Sequence, residues 1–110
     1  MPKTNGVQLY DILPDGSLNG AYINLDTNEV LNEISRKIDS SNSIEGVYLN
    51  MYFNRDHPSQ DIEKCTGTLI IDPPINGKYK LTWINENAGI DWHGEGWIIK
   101  ANQMIITYWK

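Results

Sequence analysis

The C-terminal third of the chain, from Gly77 to Trp109, constrains the fold most strongly because it is rich in aromatic and β-branched residues. All four tryptophans of the 110-residue chain lie in this stretch. Breaks at Asn85 to Gly89 and at Lys100 to Asn102 divide it into three runs. Runs of this composition, separated by turn-forming residues, are typical of antiparallel strands. The stretch therefore predicts a three-stranded meander.

Four further strands are predicted upstream, and the clearest is Ile44 to Asn54, where Val47 and Leu49 alternate with Tyr48 and Asn50. The other three are Val7 to Leu13, Leu18 to Leu25 and Thr66 to Asp72. Pro14 to Ser17 and Asn76-Gly77 supply residues suited to tight turns. Seven strands joined by short links indicate an antiparallel sheet.

One segment has a helical period instead, since Val30, Leu31, Ile34 and Ile38 recur at helical spacing. Glu33 and Lys37 form a favourable pair one helical turn apart. The pattern predicts a helix at about 27–39 that lies across the sheet or plugs one end of a barrel. The predicted fold is a single, mainly β domain over 1–110, an antiparallel meander that closes into a small barrel or a strongly curved sheet, with one short helix.

Charge and composition exclude several classes of function. The net charge is −5, and the basic residues are scattered, so no positive surface for nucleic acid is expected. No apolar run reaches the roughly 20 residues of a membrane helix, and the N-terminus lacks the apolar run of a secretory signal. We therefore expect a soluble, cytoplasmic protein. A single cysteine excludes an intrachain disulfide and a thiolate metal cluster within one chain.

The strongest candidate for catalytic chemistry is the alternating set Asp91, His93 and Glu95, which a regular strand places on one face. A histidine between two carboxylates can do acid–base chemistry or contribute to a metal site. The same alternation points all three away from Trp92, toward water if Trp92 is inside. We therefore predict no enzyme, no catalytic residue, no cofactor and no metal, with chemistry at His93 as the alternative.

Several segments together resemble the calycin group of small barrels, which includes lipocalins and avidin-like proteins. They are Gly20-Ala21-Tyr22, Tyr79-Lys80-Leu81-Thr82-Trp83, Gly94-Glu95-Gly96 and Asn102 to Ile106 followed by Tyr108-Trp109. The resemblance covers about the C-terminal half of the chain. It implies a pocket at the barrel mouth for a small apolar or amphipathic ligand, and no reaction.

Aromatic and amide side chains supply the candidate ligand site, because small-molecule pockets combine aromatic walls with a few polar groups. The predicted binding residues are Tyr22, Asn24, Tyr48, Asn50, Tyr79, Trp83 and Trp97. The same residues also suit a β-core or a protein interface. The predicted function is the binding of a small amphipathic ligand. The alternative is an acidic module that binds a basic protein through exposed edge strands or the Arg55 to Lys64 loop.

Overall fold

Eight antiparallel strands close into a barrel in the computed structural model, which describes residues 4–26, 28, 30–39, 43–54, 66–85 and 90–110. The strands are β1 Gly6–Ile12, β2 Leu18–Asn24, β3 Val30–Lys37, β4 Gly46–Asn54, β5 Thr66–Ile71, β6 Lys78–Asn85, β7 Ile90–Lys100 and β8 Gln103–Trp109. Each pairs with the next strand along the chain, and β8 pairs with β1. The predicted antiparallel barrel is confirmed, and the seven predicted strands are all present.

The predicted helix is wrong, because the segment forms β3, paired with β2 on one side and β4 on the other. The helical spacing rested on the assumption that the apolar residues point inward. In β3 the buried residues are instead Glu33 and Ser35, whereas Val30 is exposed. The segment alternates as a strand should, with polar side chains on the interior face.

Two tight turns form as the sequence predicts. Gly16 has a φ of 87° in the β1–β2 turn, where the backbone N–H of Ser17 donates to the Asp15 carboxylate over 2.9 Å. Asn76 and Gly77 both have positive φ, 53° and 79°, between the hydrogen-bonded Ile75 and Lys78. Two consecutive left-handed residues give a hairpin turn whose twist matches that of the strands.

An apolar core fills the end of the barrel at which odd-numbered strands end and even-numbered strands begin. Its fully buried members are Tyr10, Leu18, Tyr48, Leu69, Ile71, Leu81, Met104 and Ile106. Leu69 and Ile71 of β5 point inward, and Tyr79, Leu81 and Trp83 share the interior face of β6. This end of the barrel is closed by packed side chains.

Glycine at position 94 has a packing role on β7 rather than producing a bulge. A Cβ at Gly94 would lie 2.8 Å from the Trp83 ring, so the missing side chain makes room for this indole. Pairing is continuous through Gly94 on both sides, and the register shift in β7 comes later, between Ile98 and Lys100. The glycine thus allows Trp83 to reach the barrel axis. Among the described residues there is no helix of the length and hydropathy needed to cross a membrane.

Candidate functional site at the open end of the barrel

A cavity of about 310 Å³ lies at the other end of the barrel, where odd-numbered strands begin and even-numbered strands end. Its volume is at the lower limit of the roughly 300–1,000 Å³ found for small-molecule sites. Its lining includes five aromatic side chains, four amides and one carboxylate. The lining residues are Gln8, Tyr22, Asn24, Leu31, Glu33, Asn50, Tyr52, Gly67, Trp83, Ile84, Asn85, Trp92 and Tyr108.

Glu33 lies between this cavity and the apolar core, and only 4% of its surface is exposed. Five side chains from four strands donate hydrogen bonds to its carboxylate. Oε1 accepts from the Tyr10 hydroxyl, from Asn50 Nδ2, from Trp83 Nε1 at 3.1 Å and from Ser35 Oγ at 3.3 Å, and Oε2 accepts from Gln8 Nε2. A buried acidic group requires such donors, since a buried carboxylate without partners is very costly.

The donors around Glu33 are all neutral. Glu33 has no ion pair with any lysine, arginine or histidine in the described part of the chain. Burial therefore dominates, and it raises the pKa of the Glu33 carboxyl above its usual value, although the hydrogen bonds from Tyr10, Gln8, Trp83 and Asn50 oppose that change. The pKa of the Tyr10 phenol is raised as well, first by burial and then by the adjacent Glu33.

Three aromatic rings contact the ring of Tyr108, which lines the cavity. Tyr22, Trp83 and Trp92 each contact the Tyr108 ring edge to face, with ring centroids 6.0, 6.3 and 5.6 Å from it. The Tyr108 hydroxyl donates to Asn24 Oδ1 and to the Ile23 carbonyl. Edge-to-face contacts join these four rings into an aromatic wall of the cavity.

Four of the seven predicted binding residues line this cavity, namely Tyr22, Asn24, Asn50 and Trp83. The other three lie elsewhere. Tyr48 is buried at the closed end with its hydroxyl donating to the Ile44 carbonyl at 2.5 Å, and Tyr79 packs against the same core. Trp97 is 38% exposed on the outer wall of the barrel, because it lies one residue out of phase with the interior glycines of β7.

Asp91, His93 and Glu95 also lie on the outer face of β7, while Trp92 and Gly94 point inward. Glu95 pairs with Lys78 of the neighbouring strand at 3.3 Å. No group of three or more histidine, cysteine or acidic residues in the described ranges is arranged to hold a metal ion. The Arg55 to Lys64 loop lies outside the described residues.

The sequence pattern did not identify Glu33, Gln8 or Tyr108 as part of the site. Glu33 had a plausible role as a solvent-exposed partner of Lys37 on a helix, so its charge did not suggest burial. The available signal is the alternation Leu31, Glu33, Ser35, Lys37, which places two charged residues and one hydroxyl on the same side of a strand. Comparisons of the chain with protein-family models, curated proteins and solved structures give no match.

Proposed function

We propose that the protein binds a small amphipathic molecule in the cavity at the open end of the barrel. The observation that carries this proposal is the division of the interior: one end is packed with apolar side chains, while the other contains about 310 Å³ of space walled by aromatic rings. An eight-stranded barrel has an interior wide enough either to be filled by side chains or to hold one small ligand. In this barrel, side chains fill one end and leave a cavity at the other.

The polar groups of the cavity support an amphipathic ligand rather than a purely apolar one. Amide side chains from three strands, Gln8, Asn24 and Asn50, face the same space as the rings. A ligand with an apolar body and a polar end would pack against the rings and exchange hydrogen bonds with this polar floor. The resemblance to calycin-type barrels supports the same function, since those barrels bind small apolar or amphipathic molecules at the mouth.

Protein NMR tests the proposal with 2-phenylethanol as a neutral amphipathic probe. We expect saturable shifts of the Trp83 indole N–H and of the backbone amides of Tyr22 and Asn24, with no shift of the Trp97 indole on the outer wall. Leu31→Trp fills the cavity and should abolish the shifts. The matched control is Leu49→Trp, because Leu49 is 45% exposed on the barrel exterior. Shifts confined to the outer wall, or unaffected by Leu31→Trp, would contradict the proposal.

A second candidate function is the binding of a basic protein, which the acidic net charge of −5 favours. The route through exposed edge strands is not available, since the described sheet is closed. The outer wall instead has adjoining apolar residues: Leu9 pairs with Ile105, which pairs with Trp97, and they are 38%, 42% and 38% exposed. A purified basic partner should lose binding on Ile105→Asp and keep it on Leu31→Trp. The reverse result would contradict this second function.

A further inference from the structure

The two oxygens of the Glu33 carboxylate, a residue that lines the cavity, are unequally hydrogen-bonded. A carboxylate offers about four lone-pair positions over its two oxygens. Within the described part of the chain, Oε1 already accepts from four donors, whereas Oε2 accepts from Gln8 Nε2 alone. Because Glu33 lines the cavity, a donor on a bound molecule can complete the coordination of Oε2.

Among the described residues, no positively charged side chain lines the cavity to balance Glu33. The described lining consists of phenols, indoles, amides and aliphatic groups besides this one acid. Lys110 is the basic residue seen near the aromatic wall, with Nζ 5.4 Å from the Trp92 ring centroid, but its side chain is exposed and makes no ion pair with Glu33. An opposite charge on a ligand would therefore gain a partner that the protein itself does not supply.

We propose that the ligand is a cation, an alkyl- or arylalkyl-ammonium whose N–H groups donate to Oε2 of Glu33 while its apolar body packs among Tyr22, Trp83 and Tyr108. This inference rests on the proposed function and specifies its ligand class. Charge-assisted hydrogen bonds are about twice as strong as neutral ones, and the faces of aromatic rings attract cations. Carboxylate ligands such as fatty acids are excluded from this orientation, because they would place a second negative charge beside Glu33.

The pH dependence of binding follows from the groups that face Glu33. Several residues that line the cavity do not titrate: Gln8 on β1, Gly67 on β5, Trp83 and Asn85 on β6, and Trp92 on β7. The other ionisable groups that face it are the phenols Tyr10, Tyr22, Tyr52 and Tyr108, and burial raises the pKa of Tyr10 and of Tyr108. Burial raises the pKa of the Glu33 carboxyl, so acidification protonates it and removes the charge that the ammonium recognises. Affinity for an ammonium should therefore fall as pH is lowered through that pKa.

Three probes with similar apolar bodies and different heads test the inference by calorimetry and NMR: 2-phenylethylamine, 2-phenylethanol and 3-phenylpropanoate. We expect the amine to bind about ten- to one-hundred-fold more tightly than the alcohol, which is the strength of a hydrogen bond to a charged group. The carboxylate should bind more weakly than the alcohol. Equal binding of all three, or tightest binding of the carboxylate, would overturn the cation inference and leave the proposed function standing. Absence of binding by all three would overturn both.

The matched variants are Glu33→Gln and Glu95→Gln, which remove the same single charge inside and outside the barrel. Glu33→Gln should lower the affinity for the amine about ten-fold or more and leave that for the alcohol within about threefold. Glu95→Gln should leave both unchanged. An equal loss of amine affinity in both variants would show that only the overall charge attracts the amine and would overturn the inference. If Glu33→Gln fails to fold, the unsubstituted protein still tests the inference. Its affinity for the amine should exceed its affinity for the alcohol, and this preference should decrease at low pH.

Discussion

At the scale of single residues, Glu33 is the point at which folding and binding place opposite demands on one side chain. Packing favours a neutral group there, because a charge loses its hydration when it is buried. The five donors around the carboxylate reduce this penalty without removing it, and the pKa of Glu33 accordingly remains raised. A residue kept at some cost in stability, at the floor of an aromatic cavity, is typical of a functional site.

The raised pKa of Glu33 predicts how stability depends on pH. The folded pKa is above the ordinary value of 4.5, so this residue's contribution to stability is complete below 4.5 and is lost as pH rises through the folded pKa. Relative to Glu33→Gln, the free energy of unfolding of the ligand-free protein should therefore fall as pH increases, by at most about 1.4 kcal/mol per pH unit. Urea unfolding of both proteins from pH 4 to 9 measures this difference.

The control for that experiment is Glu95→Gln on the outer wall, whose stability difference from the unsubstituted protein should vary much less with pH because surface ion pairs contribute little. Parallel stability profiles for the unsubstituted protein and Glu33→Gln would contradict the prediction. They would mean that the hydrogen-bond network compensates fully for burial of the charge.

At the scale of elements, the sequence was sufficient for most strands and insufficient for β3. Strands such as β4 and β6 were predictable because large side chains alternate with smaller or polar ones over a full strand length. In β3 that criterion fails, since the barrel interior at this level is polar and the apolar Val30 and Ile34 lie on the outer wall. Only the pairing of β3 with β2 and β4 reveals which face is inside.

The same difficulty explains which site residues were predictable. Tyr22, Asn24, Asn50 and Trp83 are on strands whose alternation was clear, but the period alone does not tell which face is inside, and in β4 the apolar Val47 and Leu49 are the exposed ones. Trp97 was included for its residue type alone, and its place in the alternation of β7 puts it outside. The site around Glu33 depends on contacts between residues that are far apart in the sequence. Trp83 and Glu33, for example, are 50 positions apart, and no local sequence pattern contains such a contact.

The strand assignment of β3 predicts that substitutions at two adjacent positions change the free energy of unfolding by different amounts. Ser35 is fully buried, with Asn50 Nδ2 donating to its hydroxyl at 2.8 Å, so Ser35→Leu should overpack the interior and destabilise by about 1–3 kcal/mol. Ile34 lies on the outer face, and Ile34→Thr should change the free energy of unfolding by less than about 1 kcal/mol. Urea unfolding distinguishes the two. An amphipathic helix with Ile34 inside predicts the reverse order, and that outcome would contradict the strand.

At the scale of the whole molecule, closure of the sheet is what creates the site. Tyr108 of β8 reaches over Gly6 of β1 to Asn24 of β2, and Gln8 of β1 reaches Glu33 of β3. These contacts require β1 and β8 to lie side by side, which they do through six paired positions from Gly6–Tyr108 to Asp11–Gln103. An open sheet with the same strand order would leave the aromatic wall and the polar floor apart.

Closure predicts that the first and last strands exchange their amide hydrogens as slowly as the central ones. In an open sheet, alternate amides of an edge strand point to solvent and exchange rapidly. In the closed barrel the amides of β1 bond alternately to β2 and β8, as at Leu9, which lies between Ala21 and Ile105. Native-state hydrogen exchange followed by NMR should therefore show protection at consecutive residues of β1 and β8, comparable to that in β6 and β7. Fast exchange at every second residue of β1 would show an open seam between the first and last strands, and with it a site that forms only when that seam closes.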